Sequence, residues 1–590
     1  MPDQIHLAEY IVERLKQAGV QSIFGVPGDY NLEMLDYFEA DDTLKWIGNA
    51  NELNAAYAAD GYARTNHGLA VLVTTFGVGE LSALNGIAGC LAERIPVLHI
   101  VGAPSTAMQK NHVLLHHTLN TESSFDTFST MSASLSCATA LLSQVRPEAD
   151  TSYSDAFDAA LAACLTQCRP AYVELPMDVV RSMVSAKGLE KALPQPSSAP
   201  PFGENAPLNW ASAPTNQLFQ STDDHFDAPP EAVTAHVVDV ITKSYAAAKR
   251  PTVLVDACAA RFGVGDLVRD LVETCQIRFF TTPMGKGIMD ERHPLFGGCY
   301  AGSNSLSAVK DEMEASDFVL YVGALKSDFN SGSFTVGIPT EHTVRLHSFT
   351  TNVGFAAYPT TDIRHVLPLL LPAFKKVKSV PAKHDSLAQK IKAGNVIGLK
   401  TRPDEEGGEI VHAWLWQRMA AWFEDNDVII TETGTSSFGL LPVPLPSKCT
   451  YVTQVLWGSI GWSVGAALGC ALAADEQGGR RTVLFVGDGS FQLTVQEVGT
   501  IVRRGVPAYI FVLNNDGYEI ERLIHGPTAG YNEIQPYDLQ ITQGELHALL
   551  KDPAFRKADK VRLIELVMPR GDAPAGLIKQ AQLTAKANAE

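Results

Sequence analysis

The stretch GDGSFQLTVQEVGTIVRRGVPAYIFVLNND, Gly487–Asp516, decides the reading of this chain. The apolar run VLFV precedes it, so Gly487, Asp488, Gly489 and Ser490 stand at the carboxyl end of a strand, where parallel α/β layers bind ligands. A helix is expected next. Its positive N-terminal end, beside glycines that admit close backbone approach, suits a diphosphate. The following strand, YIFVL, delivers Asn514 and Asn515, and Gly517 comes two residues later. Hard oxygen donors therefore converge. The side chains of Asp488 and Asn515, the carbonyl of Gly517 and the diphosphate oxygens would give the near-octahedral shell that Mg²⁺ demands. Alone, GDGS reads as a strand-turn-helix connection of turn formers. The NN pair, one helix and one strand later, favours metal and diphosphate.

Outward from this stretch, short β-branched runs alternate with helical patterns, the signature of parallel α/β layers. SIFGVPG, LAVLVTTFG, PVLHIVGAP and PAYVELPMD fall in a first block, residues 1–185. PTVLVDACA, IRFFTTPMG, FVLYVGAL and TVRLHSFTT fall in residues 231–379. DVIITETG, RTVLFVGDGS, AYIFVLNND and VRLIELVMP fall in residues 405–590. Between the first two blocks, residues 193–230 turn to Pro, Ser, Asn and Asp and read as a linker or long surface loop. The expected fold class is α/β, with three consecutive parallel-sheet domains.

Composition agrees. At 590 residues the chain exceeds a single core of about 150. Hydrophobic residues at 46% exclude wholesale disorder. Sixty-five acidic residues against 46 basic ones, a net charge of −19, oppose contact with a phosphate backbone, so no nucleic-acid partner is expected. Apolar runs such as ALGCALAA fall short of the ~20 residues that span a bilayer, so no membrane is expected either. The opening MPDQIHLAEYIVERLKQAGV reads as an amphipathic helix and not as a signal peptide. The nine cysteines form no CxxC ladder, and Cys164 and Cys168, one helical turn apart, read as buried thiols. A cytoplasmic location is expected.

Several motifs then appear in order: GVPGDYNLEMLD, NANELNAAYAADGYAR, HHTL, TPMGKG, ETGTSSFG, QVLWGSIG, GDGSFQLTVQE and NNDGYEIERLIHGP. Together they resemble the thiamine diphosphate-dependent 2-oxo acid decarboxylases, most closely the fungal pyruvate decarboxylases. The resemblance covers most of the chain. It implies a pyrimidine-binding, a middle and a diphosphate-binding domain, with thiamine diphosphate and Mg²⁺ as cofactors.

It also implies roles for single residues. Glu52 would hydrogen-bond the aminopyrimidine and favour the tautomer that exposes the thiazolium ylid; read alone, it is a charge at a helix N-terminus. Ile460 would be the apolar wedge under the cofactor. Thr433, Thr435, Gly458, Ser459 and Ser490, with Gly487 and Gly489, would contact the cofactor. Asp29, His116 and His117 match the acid-base groups of the decarboxylase branch. Adjacent histidines are rarely needed for packing and can offer protons near neutral pH. Glu521 would act beside the cofactor, and Ile520 would limit substrate size. Cys258 aligns with a cysteine discussed in the family for activation by substrate, and a buried inert thiol reads equally well. The implied reaction is non-oxidative: the ylid attacks the 2-oxo carbon of pyruvate, carbon dioxide leaves, and the protonated product departs as acetaldehyde. Because the resemblance puts Glu52 and GDGS in domains that meet across a subunit boundary, a homodimer is the minimum and a homotetramer the expected assembly.

Three rivals stay open. A decarboxylase of indolepyruvate or phenylpyruvate would share every cofactor residue. The synthase branch, commonly carrying a flavin, is disfavoured by HHTL. A paralogue that binds cofactor without turnover is suggested by a departure between Tyr537 and Glu545, where about one helix and loop present in relatives is expected to be missing, baring apolar surface.

Overall fold

The computed structural model describes residues 3–119, 125–145, 152–197, 231–359, 361–377, 408–534, 543–557, 559 and 561–589. Most of the expected linker, the second domain joint and most of the segment between Tyr537 and Glu545 lie outside these residues.

Three α/β units follow one another. The first is a six-stranded, wholly parallel sheet in the order Lys45–Trp46, Ser22–Gly25, Ala70–Thr75, Val97–Ala103, Ala171–Pro176, Ala138–Leu141. Its four inner strands are the four apolar runs of the first block, buried along their length as strands covered on both faces must be. The opening helix, Leu7–Gln17, packs Leu7, Tyr10, Ile11 and Leu15 into this core. Before it, Gln4–His6 pairs antiparallel with Met183–Ser185.

The middle sheet departs from a purely parallel plan. TVRLHSFTT, expected as one strand, is a hairpin: Thr343–Leu346 and Thr350–Val353 run antiparallel, with Leu346 opposite Thr351. A further strand, Ala356–Pro359, extends it, giving seven strands in a mixed sheet. The polar pair His347 and Ser348, followed by an exposed Phe349, supplies the reversal that an apolar count overlooks. The last unit is a five-stranded parallel sheet, ordered Thr450–Thr453, Val428–Thr431, Thr482–Gly487, Ala508–Asn514, Arg562–Val567. The short edge strands Lys45–Trp46, Ala138–Leu141, Phe296–Cys299 and Thr450–Thr453 carry no long apolar run, and the sequence does not announce them.

The first and last units share one core. Helix Glu52–Asn66 lies along helix Trp462–Glu476, and both are rich in alanine and glycine at the contact. A Cβ on Gly469 would stand 1.8 Å from the Ala58 carbonyl oxygen, so the approach requires glycine. Buried charges cross the same boundary. Arg64 pairs with Asp60 at 2.6 Å and Glu93 at 3.2 Å and donates to the Thr453 carbonyl, while Trp462 Nε1 donates to Asp60. Removing one member of such a set costs about 3–5 kcal/mol, because the remaining charge is stranded. Lys286 staples the middle unit to the last, bonding Glu291 and the Val443 carbonyl at 2.6 Å each.

Candidate active site

At the carboxyl end of strand Thr482–Gly487 the chain turns directly into helix Asp488–Thr494. The single helix expected here is two, broken at Val495 and Gln496 before Glu497–Arg504. Asp488 is wholly buried. Its Oδ1 accepts the Gly489 N–H and its Oδ2 the Gly517 N–H, both at 2.9 Å. One carboxylate thus ties together the two loops that GDGS and NNDG form. Burial pushes Asp488 up to about 6 in spite of these two bonds.

Asn515 is buried beside it, and Gly517 has φ +129° in a turn where a Cβ would lie 2.2 Å from the Asn532 carbonyl oxygen. The two asparagines divide the work. Asn514 holds the turn, accepting the Asp516 N–H at 2.9 Å and donating to Glu565 at 2.6 Å. Arg522 was not anticipated from the motif. Its guanidinium donates to the carbonyls of Asn515 and Asp516 and pairs with Glu519, bracing the NNDG loop. Its one sign in the sequence is a cation immediately after NNDGYEIE.

The glycines separate into two kinds. A Cβ on Gly489 would strike the Tyr518 ring at 2.5 Å, so that residue is small for the protein's own packing. Around Gly487 and Gly458 the space is open, the nearest atoms to a built Cβ being 3.9 and 3.8 Å away. Thr433 donates to the Gln454 carbonyl at 2.8 Å, and Thr435 opens the short helix Thr435–Leu440. Ile520 packs over Gly434, 3.5 Å from a Cβ built there. Glu521 is exposed on the next position of helix Glu519–His525, and Ser490 is half-buried. The Ser459 Oγ meets the Tyr57 hydroxyl at 2.7 Å and accepts from Asn85 at 3.0 Å, and its N–H donates to Gln454 Oε1 at 2.7 Å. Ile460 is 39% exposed.

The other four residues gather at the carboxyl edge of the first sheet. His116 Nε2 meets Asp29 Oδ2, and the His116 ring stacks on Tyr30 at 5.1 Å. His117 stands edge-on to His116 at 4.7 Å, with φ +69°. One ligating atom from each of Asp29, His116 and His117 lies within 4.8 Å of the other two, so the three groups form one cluster. Glu52 is the first residue of helix Glu52–Asn66, whose N-cap Asn51 accepts the Asn54 N–H, so it occupies the helix end in both of its readings. Cys258 is buried in the middle core, where burial raises its thiol.

Three family models match the chain in order. Residues 5–127 match the thiamine pyrophosphate enzyme N-terminal TPP binding domain, 238–364 its central domain, and 433–553 its C-terminal TPP binding domain. A pyruvate decarboxylase of Aspergillus terreus is 42% identical over 99% of this chain and 98% of its own. Pyruvate decarboxylase isozyme 3 of Saccharomyces cerevisiae is 43% identical over the whole of both chains. The chain belongs to the thiamine diphosphate-dependent decarboxylases. For such a decarboxylase the donor set fits: a desolvated carboxylate that a cation would stabilise, an amide beside it, and open glycines where a diphosphate needs bare backbone.

Proposed function

We propose that this decarboxylase converts pyruvate to acetaldehyde and carbon dioxide. The observation that carries the reading is the contact of His116 with Asp29 at the sheet edge that also bears Glu52. Thiamine diphosphate, when bound, supplies an electron sink for the pair left by departing carbon dioxide. Asp488, Asn515 and the Gly517 carbonyl would hold Mg²⁺, and Thr433, Thr435, Gly458, Ser459, Ile460, Gly487, Gly489 and Ser490 would shape the cofactor's seat. Glu52 holds a proton against the aminopyrimidine. Asp29, His116, His117 and Glu521 deliver the proton that the product needs, and Ile520 keeps the substrate small.

Two chains complete the site, as a homodimer at least and a homotetramer in full. Apolar side chains left open beside the cofactor residues, Trp457, Ile460 and Leu493 among them, support that reading. All nine cysteines are free thiols, as a cytoplasmic location allows. Among the described residues no helix is long and apolar enough to cross a membrane.

The test is carbon dioxide and aldehyde release by purified protein supplied with magnesium, thiamine diphosphate and pyruvate. A higher kcat/KM for phenylpyruvate or indolepyruvate would move the assignment to a bulkier 2-oxo acid. Cofactor binding without product would leave a silent paralogue.

A further inference from the structure

Residues 75–80, the turn from strand Ala70–Thr75 into helix Val78–Glu93, press against three of the four proton-handling candidates of the first domain. A Cβ on Gly28, beside Asp29, would lie 2.5 Å from Thr75 Cβ. One on Gly77 would lie 2.7 Å from the His117 carbonyl oxygen and 3.3 Å from its Cβ. One on Gly79 would lie 3.1 Å from Glu52 Oε1. A shift of this turn by a fraction of an ångström therefore moves Glu52, the Asp29 loop and His117 relative to one another.

What holds the turn is Glu80, a wholly buried carboxyl with no role in the reaction described above. Its Oε1 accepts the Gly77 N–H at 2.9 Å. Its Oε2 accepts the Tyr172 hydroxyl at 3.1 Å and the Ser132 hydroxyl at 3.3 Å. Tyr172 stands on strand Ala171–Pro176, edge-on to His99, which in turn bonds Thr74 at 2.9 Å. The carboxyl thus spans from the sheet and from helix Asp126–Ala133 to a glycine at φ +70°. Its bonds come from neutral donors, Glu174 lies two residues beyond Tyr172 on the same strand, and burial pushes Glu80 up to about 7. A packing role alone would be served by an apolar side chain at lower desolvation cost.

We infer that Glu80 is a positioning residue: through the Gly77 N–H it sets the turn that spaces Glu52, Asp29 and His117 around the substrate. The inference rests on the proposed proton-handling roles of those three residues.

The test compares Glu80→Gln, Glu80→Ala and Glu80→Asp in the full-length holoenzyme, with kcat expressed per bound cofactor and bound cofactor counted by titration. Glutamine keeps an oxygen for the Gly77 N–H, and both hydroxyls can turn to accept from its amide. It should retain kcat within about threefold, while alanine loses at least about 30-fold, the scale on which misplaced groups act. Cofactor affinity should stay within about threefold in each, since the diphosphate is held by the other domain. If alanine does not fold, aspartate, too short to reach Gly77, takes its place with the same expected loss. Wild-type kcat per bound cofactor in Glu80→Ala or Glu80→Asp overturns the inference. So does glutamine as impaired as alanine, or a loss explained by cofactor occupancy alone. A wild-type enzyme that releases no carbon dioxide would instead sink the proposed function, which keeps the two failures apart.

Discussion

His116 Nε2 lies 2.6 Å from Asp29 Oδ2, although 87 residues separate them along the chain. The contact forms at the carboxyl edge of one parallel sheet, where loops after strands Ser22–Gly25 and Val97–Ala103 meet. Tyr30, next to Asp29, stacks on the same ring and fixes its plane. Such an arrangement holds a proton between a carboxylate and an imidazole at a chosen place.

Asp29→Asn keeps the shape and removes the charge. It should lower kcat by about 100-fold or more, the usual scale for a lost acid-base group, with cofactor affinity unchanged. Steady-state kinetics of carbon dioxide release would show this, and a variant as fast as wild type would remove Asp29 from the proton path.

Glu52→Gln should also retain the cofactor, because Glu52 stands on the first domain and the diphosphate seat on the last. Its expected defect is activation: exchange of the thiazolium proton into deuterated solvent should slow by about 100-fold. Rapid exchange in the variant would leave Glu52 only the role of a charge at a helix N-terminus.

Asp488→Asn preserves the volume that joins the GDGS and NNDG loops but supplies no anionic ligand. Magnesium and thiamine diphosphate should weaken together, by about 10–100-fold, as measured by equilibrium dialysis of each in the presence of the other. Cofactor binding that stays at the wild-type level would exclude Asp488 as the metal ligand.

Glu432 offers a test by pH. It is buried and accepts the Ser463 N–H and hydroxyl and the Thr433 N–H, and burial pushes it from 4.5 up to about 7. Between these values the folded protein holds a proton that the unfolded chain has released. Its contribution to stability is therefore complete below pH 4.5 and is lost as pH rises through about 7. The loss is on the order of 3 kcal/mol. Glu432→Gln cannot titrate, so the fall in the unfolding midpoint of the cofactor-free protein between pH 5 and 8 should shrink. An identical pH dependence in variant and wild type would show that Glu432 is already ionised in the fold.

Much of this was legible in one dimension. The run from Gly487 to Asp516 carries its own geometry: an apolar strand, glycines, a carboxylate, then asparagines after one further strand, all set by local spacing. The inner strands of each sheet were equally plain, because a strand buried on both faces must be apolar throughout. The hairpin at Thr343–Val353 and the short edge strands were not, since neither carries the apolar run by which inner strands declare themselves. Tertiary structure alone decided the rest. It brought Asp29 to His116, set Arg522 beneath Asn515, gave Gly489 its reason in the Tyr518 ring, and aimed the Glu80 carboxyl at Gly77. These pairings depend on how the carboxyl ends of parallel strands and the loops beyond them fall side by side. Sequence spacing determines which groups stand at a strand end, but only the packed sheet order determines which strand ends are neighbours.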